Sequence, residues 1–353
     1  QSVEIAKAVS QEARVVILDE PTSSLSDNEV ETLFRIMNDL RDKGVAMIYI
    51  SHKMDEIKRI ADDVTIMRDG TYVGTWPAAE LTIDDIITKM VGRELTDVYP
   101  PKRHVVSDEV VLEVKGVTSI NPKSFRDCAF QVRKGEILGF GGLVGAQRSE
   151  LMEAIFGYRH IEEGEIYIHG EKKDIKHPID AINAGIGMIT EDRRGNGIFG
   201  CLSIKDNVGI SIYNKYLQGG FVLNHPAINK IVDDSIDKLS IKTPNMNEHI
   251  ANLSGGNQQK VIIARWLAND PDVLIMDEPT RGIDVGAKHE IYEIMEDLAA
   301  QGKAIIMISS EMAELLGMSD RVCVMCAGKL TGEITDQADM TQEKVMHYAT
   351  MFE

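Results

Sequence analysis

The sequence repeats itself, and the repeat limits what the chain can fold into. ILDEPTSSLSDNEV at residues 17–30 recurs as IMDEPTRGIDVGAK at residues 275–288, placing Asp19 opposite Asp277 at an offset of 258. The same offset carries Ser51 to Ser309, Met67 to Met325, Gly70 to Gly328 and Gly74 to Gly332. One register kept this far without a gap predicts two copies of one domain. The copies are unequal, because nothing in the first corresponds to residues 109–258. The expected organisation is the C-terminal part of a first, truncated domain at 1–92, a linker at 93–107 and a complete second domain at 108–353. Pro100 and Pro101, amid mixed charge, predict an extended linker.

Short apolar runs at 273–276 and 305–309 read as buried parallel strands. Further strands are expected at 110–117, 136–140, 165–169 and 187–190, with a helix at 149–156 and helical periodicity across 204–239. Strands alternating with helices predict an α/β domain with a mostly parallel sheet and a helical subdomain in the second copy. No apolar run approaches the roughly 18 residues that span a bilayer. The net charge of −18 argues against nucleic acid as a partner. Cys323 and Cys326 lie in an apolar run and read as packed strand thiols rather than a redox or zinc pair.

Three motifs carry chemistry. The apolar run 273–276 ends in Asp277 and Glu278, and 15–18 ends in Asp19 and Glu20. Acids at the carboxyl edge of a parallel sheet sit where such folds bind ligands; the first suits Mg²⁺ and the second an attacking water. GLVGAQRS, from Gly142 through Gly145 to Arg148 and Ser149, lies between a strand and a helix and fits a degraded phosphate loop. Gln147 stands where a glycine is usual, and Arg148 where a lysine is. Ser254, Gly255, Gly256 and Gln258 open a helix whose N-terminus can face an anion, with Gln258 lying 19 residues before Asp277. Taken alone Ser254 could be a plain helix cap, but the spacing to Asp277 favours the anion-binding reading.

Together these residues resemble the ATP-binding-cassette ATPases, a P-loop NTPase family. LSGGNQQK resembles the family signature, LDEPT and MDEPT its second nucleotide motif, and IYISHK its switch-histidine strand. TEDRRGNGI, EPTRGIDVGAK and the altered phosphate loop are similar to the sugar-import branch, which serves ribose, galactose/methyl galactoside, xylose and arabinose systems, the galactose/methyl galactoside members most of all. The resemblance implies a tandem cassette subunit, the first copy incomplete, that binds ATP with Mg²⁺ and hydrolyses it to drive uptake. Asp19 and Asp277 would hold the metal with Ser149. Glu20 and Glu278 would be catalytic acids and His52 the γ-phosphate switch. Gly142, Gly145, Arg148, Ser149, Ser254, Gly255, Gly256 and Gln258 would bind nucleotide, with the two cassettes paired head to tail. In the second site Arg148 replaces lysine, Glu191 replaces the usual glutamine, Ser310 replaces the histidine and 116–124 holds no aromatic, so that site is expected to bind nucleotide at most. Transmembrane sugar permease subunits and a periplasmic or extracellular sugar-binding protein would be partners, with the chain peripheral on the cytoplasmic side of the inner membrane. The competing readings are a soluble tandem cassette ATPase acting on ribosomes or DNA, and a non-catalytic regulatory cassette.

Overall fold

The computed structural model describes residues 13–22, 27–51, 53–68, 71–91 and 99–352, which form two units, one within residues 1–98 and 284–286 and one within residues 99–283 and 287–353.

In the first unit, β1 (Val15–Asp19) pairs in parallel with β2 (Ala46–Ile50), and α1 (Asp27–Asp42) connects them. Alternation sends Val16 and Leu18 to one face, where Leu33, Phe34 and Met37 of α1 bury them. The opposite face is open: Val15 is 57%, Ile17 64%, Ile48 52% and Ile50 47% exposed. Then come α2 (Met54–Ile60), an antiparallel pair of β3 (Asp63–Arg68) and β4 (Thr71–Pro77), and α3 (Ile83–Val91).

The second unit opens with an antiparallel sheet of order β6-β5-β8-β9, formed by β5 (Val110–Ser119), β6 (Cys128–Arg133), β8 (Ile161–Ile168) and β9 (Glu171–Lys173). Between β6 and β8 lie β7 (Ile137–Gly141) and α4 (Arg148–Ile155). After α5 (Pro178–Asn183) and β10 (Ile186–Ile189), the stretch read as helical across 204–239 is only partly so. It holds α6 (Ile204–Gly209), a hairpin of β11 (Leu217–Gln218) and β12 (Val222–Leu223), and α7 (His225–Lys238). Gly219 and Gly220, at φ 59° and 80°, turn that hairpin, because only glycine takes two successive positive φ values without strain. Then follow α8 (Gly255–Leu267), β13 (Val273–Asp277), α9 (Val285–Ala300), β14 (Ala304–Ile308), α10 (Met312–Met318), β15 (Arg321–Cys326), β16 (Lys329–Ile334) and α11 (Gln342–Ala349). The central sheet has the order β10-β13-β14-β7-β15-β16, parallel except at β16.

Both faces of that sheet are covered, which explains its continuous apolar strands. Val273, Ile275, Ile306 and Ile308 pack with the antiparallel sheet and α4, while Leu274, Met276, Ile305 and Met307 pack with the helices opposite. The bounds of β1, α1, β2, α2 and β3 recur 258 residues later as those of β13, α9, β14, α10 and β15. The open face of the first unit is the counterpart of Val273, Ile275, Ile306 and Ile308, which are 0–1% exposed.

Residues 99–107 carry no regular structure but are not free linker. Tyr99 stacks on Tyr292 at 5.4 Å, Lys102 pairs with Asp320 at 2.7 Å and Arg103 with Glu293 at 2.6 Å. His104, 1% exposed in its side chain, lies between Glu296 at 2.9 Å and Asp320 at 2.7 Å. The charges of residues 102–104 are thus paired. Among the described residues no helix is long and apolar enough to cross a membrane.

Candidate nucleotide site

The turn from β7 into α4 is shaped by its glycines. Gly142 sits at φ 147°, and a Cβ there would meet the Met325 carbonyl oxygen at 2.5 Å, so the loop can run only with glycine. Gly145 needs glycine for its φ of 85° alone, since nothing lies within 4 Å of its Cβ position. Gln147 adopts φ 73°, and two hydrogen bonds hold it there. The Ser124 hydroxyl donates to its Oε1 at 2.7 Å, and its Nε2 donates to the Gly145 carbonyl at 3.2 Å.

Arg148 is buried and donates to the Ser309 carbonyl at 3.0 Å, at the end of β14. Burial lowers its pKa against the pull of Glu278 and Asp277. Asp277 is 2% exposed; burial pushes its carboxyl up to about 6, against the opposing pull of Ser149 and Arg148. Asp277 Oδ1 is buried with no hydrogen-bond partner. Glu278 follows at φ 48°, its N–H donating to the Ile308 carbonyl at 2.9 Å and its Oε2 accepting from Ser310 at 3.1 Å. Burial raises the Glu278 pKa to about 7. Arg148, Ser149, Asp277, Glu278 and Ser310 therefore share one site.

Ser254 caps α8, accepting from the Asn257 N–H at 3.5 Å and the Asn257 Nδ2 at 2.8 Å. Gly255 and Gly256 follow in a tight place: a Cβ at Gly256 would lie 2.4 Å from that of Ala287. Gln258 is buried, its Nε2 donating to the carbonyls of Leu253 at 3.0 Å and Ile250 at 3.3 Å. Glu191 is exposed and accepts from Arg281.

In the first unit Asp19 is exposed at the end of β1, and Glu20 repeats the φ of Glu278 at 46°, its N–H donating to the Ile50 carbonyl at 2.9 Å. His52 lies outside the described residues. Sequence reasoning passed over Glu56 and Glu314, which the structure ties to the Asp-Glu-Pro-Thr turns of their units. Their identity at the offset of 258 was the available signal.

The ABC transporter family matches residues 125–281. The galactose/methyl galactoside import ATP-binding protein MglA of Clostridium tetani is 58% identical over the whole chain and 69% of its own length. A putative ribose/galactose/methyl galactoside import ATP-binding protein of Halalkalibacterium halodurans is 50% identical over 99% of the chain and 66% of its own length. The chain thus spans about two thirds of these relatives. MJ1267, an ATP-binding cassette of an ABC transporter, superposes with a TM-score of 0.59 at 20% identity, covering 68% of the chain and 98% of that cassette. That likeness is one of fold.

Proposed function

The chain belongs to the ABC transporter family of import ATP-binding proteins, and on that premise we propose that it is the ATP-binding, ATP-hydrolysing subunit of a galactose/methyl galactoside importer. One observation carries the mechanism: at the end of β13 the buried Asp277 Oδ1 has no hydrogen-bond partner, and the Ser149 hydroxyl lies near enough to pull that carboxyl's pKa down, beside a phosphate-type turn. These are the hard oxygen donors that Mg²⁺ takes. Among the described residues no three His, Cys, Asp or Glu could hold a metal by themselves, so such an ion would share its coordination with phosphate and water. When bound, it would neutralise phosphate charge. The residues divide between two sites: in the second unit backbone amides of the Gly142–Ser149 turn would cradle phosphate, with Asp277 and Ser149 at the ion. In the first unit Asp19 would hold the ion, Glu20 would accept the proton of the attacking water and His52 would meet the γ-phosphate.

The finer reading is a tandem protein whose residues 1–92 are the C-terminal part of a first cassette, 93–107 its linker and 108–353 the second cassette. The matching element bounds and the uncovered face of Val15, Ile17, Ile48 and Ile50 support it. No glycine precedes Gly44, so residues 1–43 contain no phosphate loop. The two cassettes pair, and Ser254, Gly255 and Gly256 close the site of Asp19 and Glu20 from across that interface. The second site binds nucleotide without fast turnover, because Arg148 is committed to Ser309 and Ser310 occupies the switch position. Partners are transmembrane permease subunits and, through them, a sugar-binding protein, with the chain peripheral on the cytoplasmic side of the inner membrane. A role on ribosomes or DNA is not favoured: the relatives are import proteins and the charge is −18.

The test is MgATP hydrolysis by the assembled importer in vesicles. Glu20→Gln should lower turnover by about 10²- to 10⁴-fold, as loss of a general base does, with ATP still bound. Normal turnover in that variant would refute the assignment. A wild-type importer that binds but never hydrolyses ATP would leave the regulatory reading.

A further inference from the structure

Glu20 and Glu278 share an unusual backbone, at φ 46° and 48°, in the left-handed region that residues with a Cβ avoid. Such a conformation persists only where its surroundings over-determine it. One tie is the same in both units: the acid's N–H donates at 2.9 Å to the last carbonyl of the neighbouring strand, Ile50 or Ile308. The second is a carboxylate that the nucleotide chemistry does not use. Glu56 Oε2 accepts from the Thr22 hydroxyl at 2.8 Å and, more distantly, from Ser51 at 3.5 Å. At the offset of 258, Glu314 accepts from Thr280 at 2.7 Å and from Ser309 through a short hydrogen bond. Thr22 and Thr280 lie two residues after the catalytic acids, and Ser51 and Ser309 directly follow the neighbouring strands.

In the first unit a phenol joins the cluster: Tyr49 of β2 donates to Glu56 at 2.6 Å. Position 49 corresponds to Met307, so this donor is particular to the first unit. Glu314 is 1% exposed, and burial raises its pKa. A buried carboxyl with only hydroxyl partners is a costly way to fill space, and an apolar side chain would do that better.

We propose that Glu56 and Glu314 are positioning residues, each tying the turn that carries the catalytic acid to the end of the adjacent strand and so holding that acid in its left-handed conformation. The proposal rests on the reading of Glu20 as the hydrolytic acid. A carboxylate reaches both hydroxyls at once; glutamine can as well, since a hydroxyl accepts or donates, whereas alanine reaches neither.

The experiment compares Glu56→Ala and Glu56→Gln in the assembled importer, with kcat, KM for ATP and melting temperature measured on the same samples. A small displacement of a catalytic group is enough to cost about 100-fold. Glu56→Ala should therefore lower kcat by about 10- to 100-fold per folded molecule at an unchanged KM, and Glu56→Gln should return it to within about threefold of wild type. A lowered melting temperature in the alanine variant with kcat per folded molecule intact would overturn the proposal, since Glu56 would then serve stability alone. Equal loss of kcat in both variants would also overturn it, because the charge and not the tie would matter. Failure of the underlying reading looks different: there Glu20→Gln, run alongside, would turn over ATP normally.

Discussion

Raising the pH should loosen the second unit through one residue. His104 lies between Glu296 and Asp320, at 2.9 and 2.7 Å, with its side chain 1% exposed. Hydrogen bonds from both nitrogens to these carboxylates outweigh burial and raise its pKa from 6.5 to about 9. A cation whose folded pKa is raised gives stability that is complete below pH 6.5, declines as pH rises and is gone above about 9. Moving the pKa over that range corresponds to about 3 kcal/mol, and screening on the partly exposed Asp320 and Lys102 side reduces this to about 2 kcal/mol. The acid side behaves oppositely. Burial raises the Asp320 pKa, but hydrogen bonds from His104, Lys102 and the Ile137 N–H win and hold it below the usual carboxylate range, so that contribution fades as pH falls through 3.8 and below. Urea unfolding from pH 6 to 9.5 in a Trp76→Phe background measures the effect, because the remaining tryptophan, Trp266, packs edge-on against Phe156 at 5.4 Å in this unit. The wild type should lose about 2 kcal/mol across the window, with a slope nowhere steeper than about 1.4 kcal/mol per pH unit. His104→Gln should start lower at pH 7 by at least about 2 kcal/mol, as breaking a buried pair does, and show little slope. Parallel curves for the two proteins would refute the argument.

The phosphate-type turn offers a paired test. Gly142→Ala should destabilise the chain by more than about 2 kcal/mol in urea unfolding and abolish nucleotide binding, because the new Cβ would lie 2.5 Å from the Met325 carbonyl oxygen. Gly145→Ala, with an open Cβ position and only its φ of 85° to strain it, should cost about 1 kcal/mol. Ser254→Ala should cost about 1 kcal/mol of stability through loss of the α8 cap. If Ser254 also meets the γ-phosphate in the paired cassettes, ATPase per folded molecule in the importer should fall by about 10-fold or more; unchanged turnover would leave it a cap alone.

What could be read in advance follows from where each signal lies. The apolar runs of β13 and β14 are buried on both faces, so composition alone marks them, and the acids that end β13 mark the ligand edge. The paired glycines of the β11–β12 hairpin were a turn signal, overridden by the helical periodicity on either side. Other features depend on partners far along the chain. The partners of Lys102, Arg103 and His104 were not legible because Glu293, Glu296 and Asp320 lie about 190 or more residues away. Glu314 was passed over because Thr280 and Ser309 come together around it only in the fold. Arg148 reads as a phosphate ligand, and only the end of β14 shows that its guanidinium already has a carbonyl to serve.

The same distinction bears on why the second site keeps its Asp277–Glu278 pair although it has a serine where the switch histidine would stand. These acids also build the turn. Glu278 takes the Ser310 hydroxyl, and Thr280 closes on Glu314. In the first unit Thr22 closes on Glu56, which also takes the phenol of Tyr49 from β2. On this reading the acid pair of the second unit also folds the corner between β13 and β14, on which the nucleotide-binding turn rests through Arg148. Its carboxyls at about 6 and 7 are then those of a buried structural corner as much as of a catalyst.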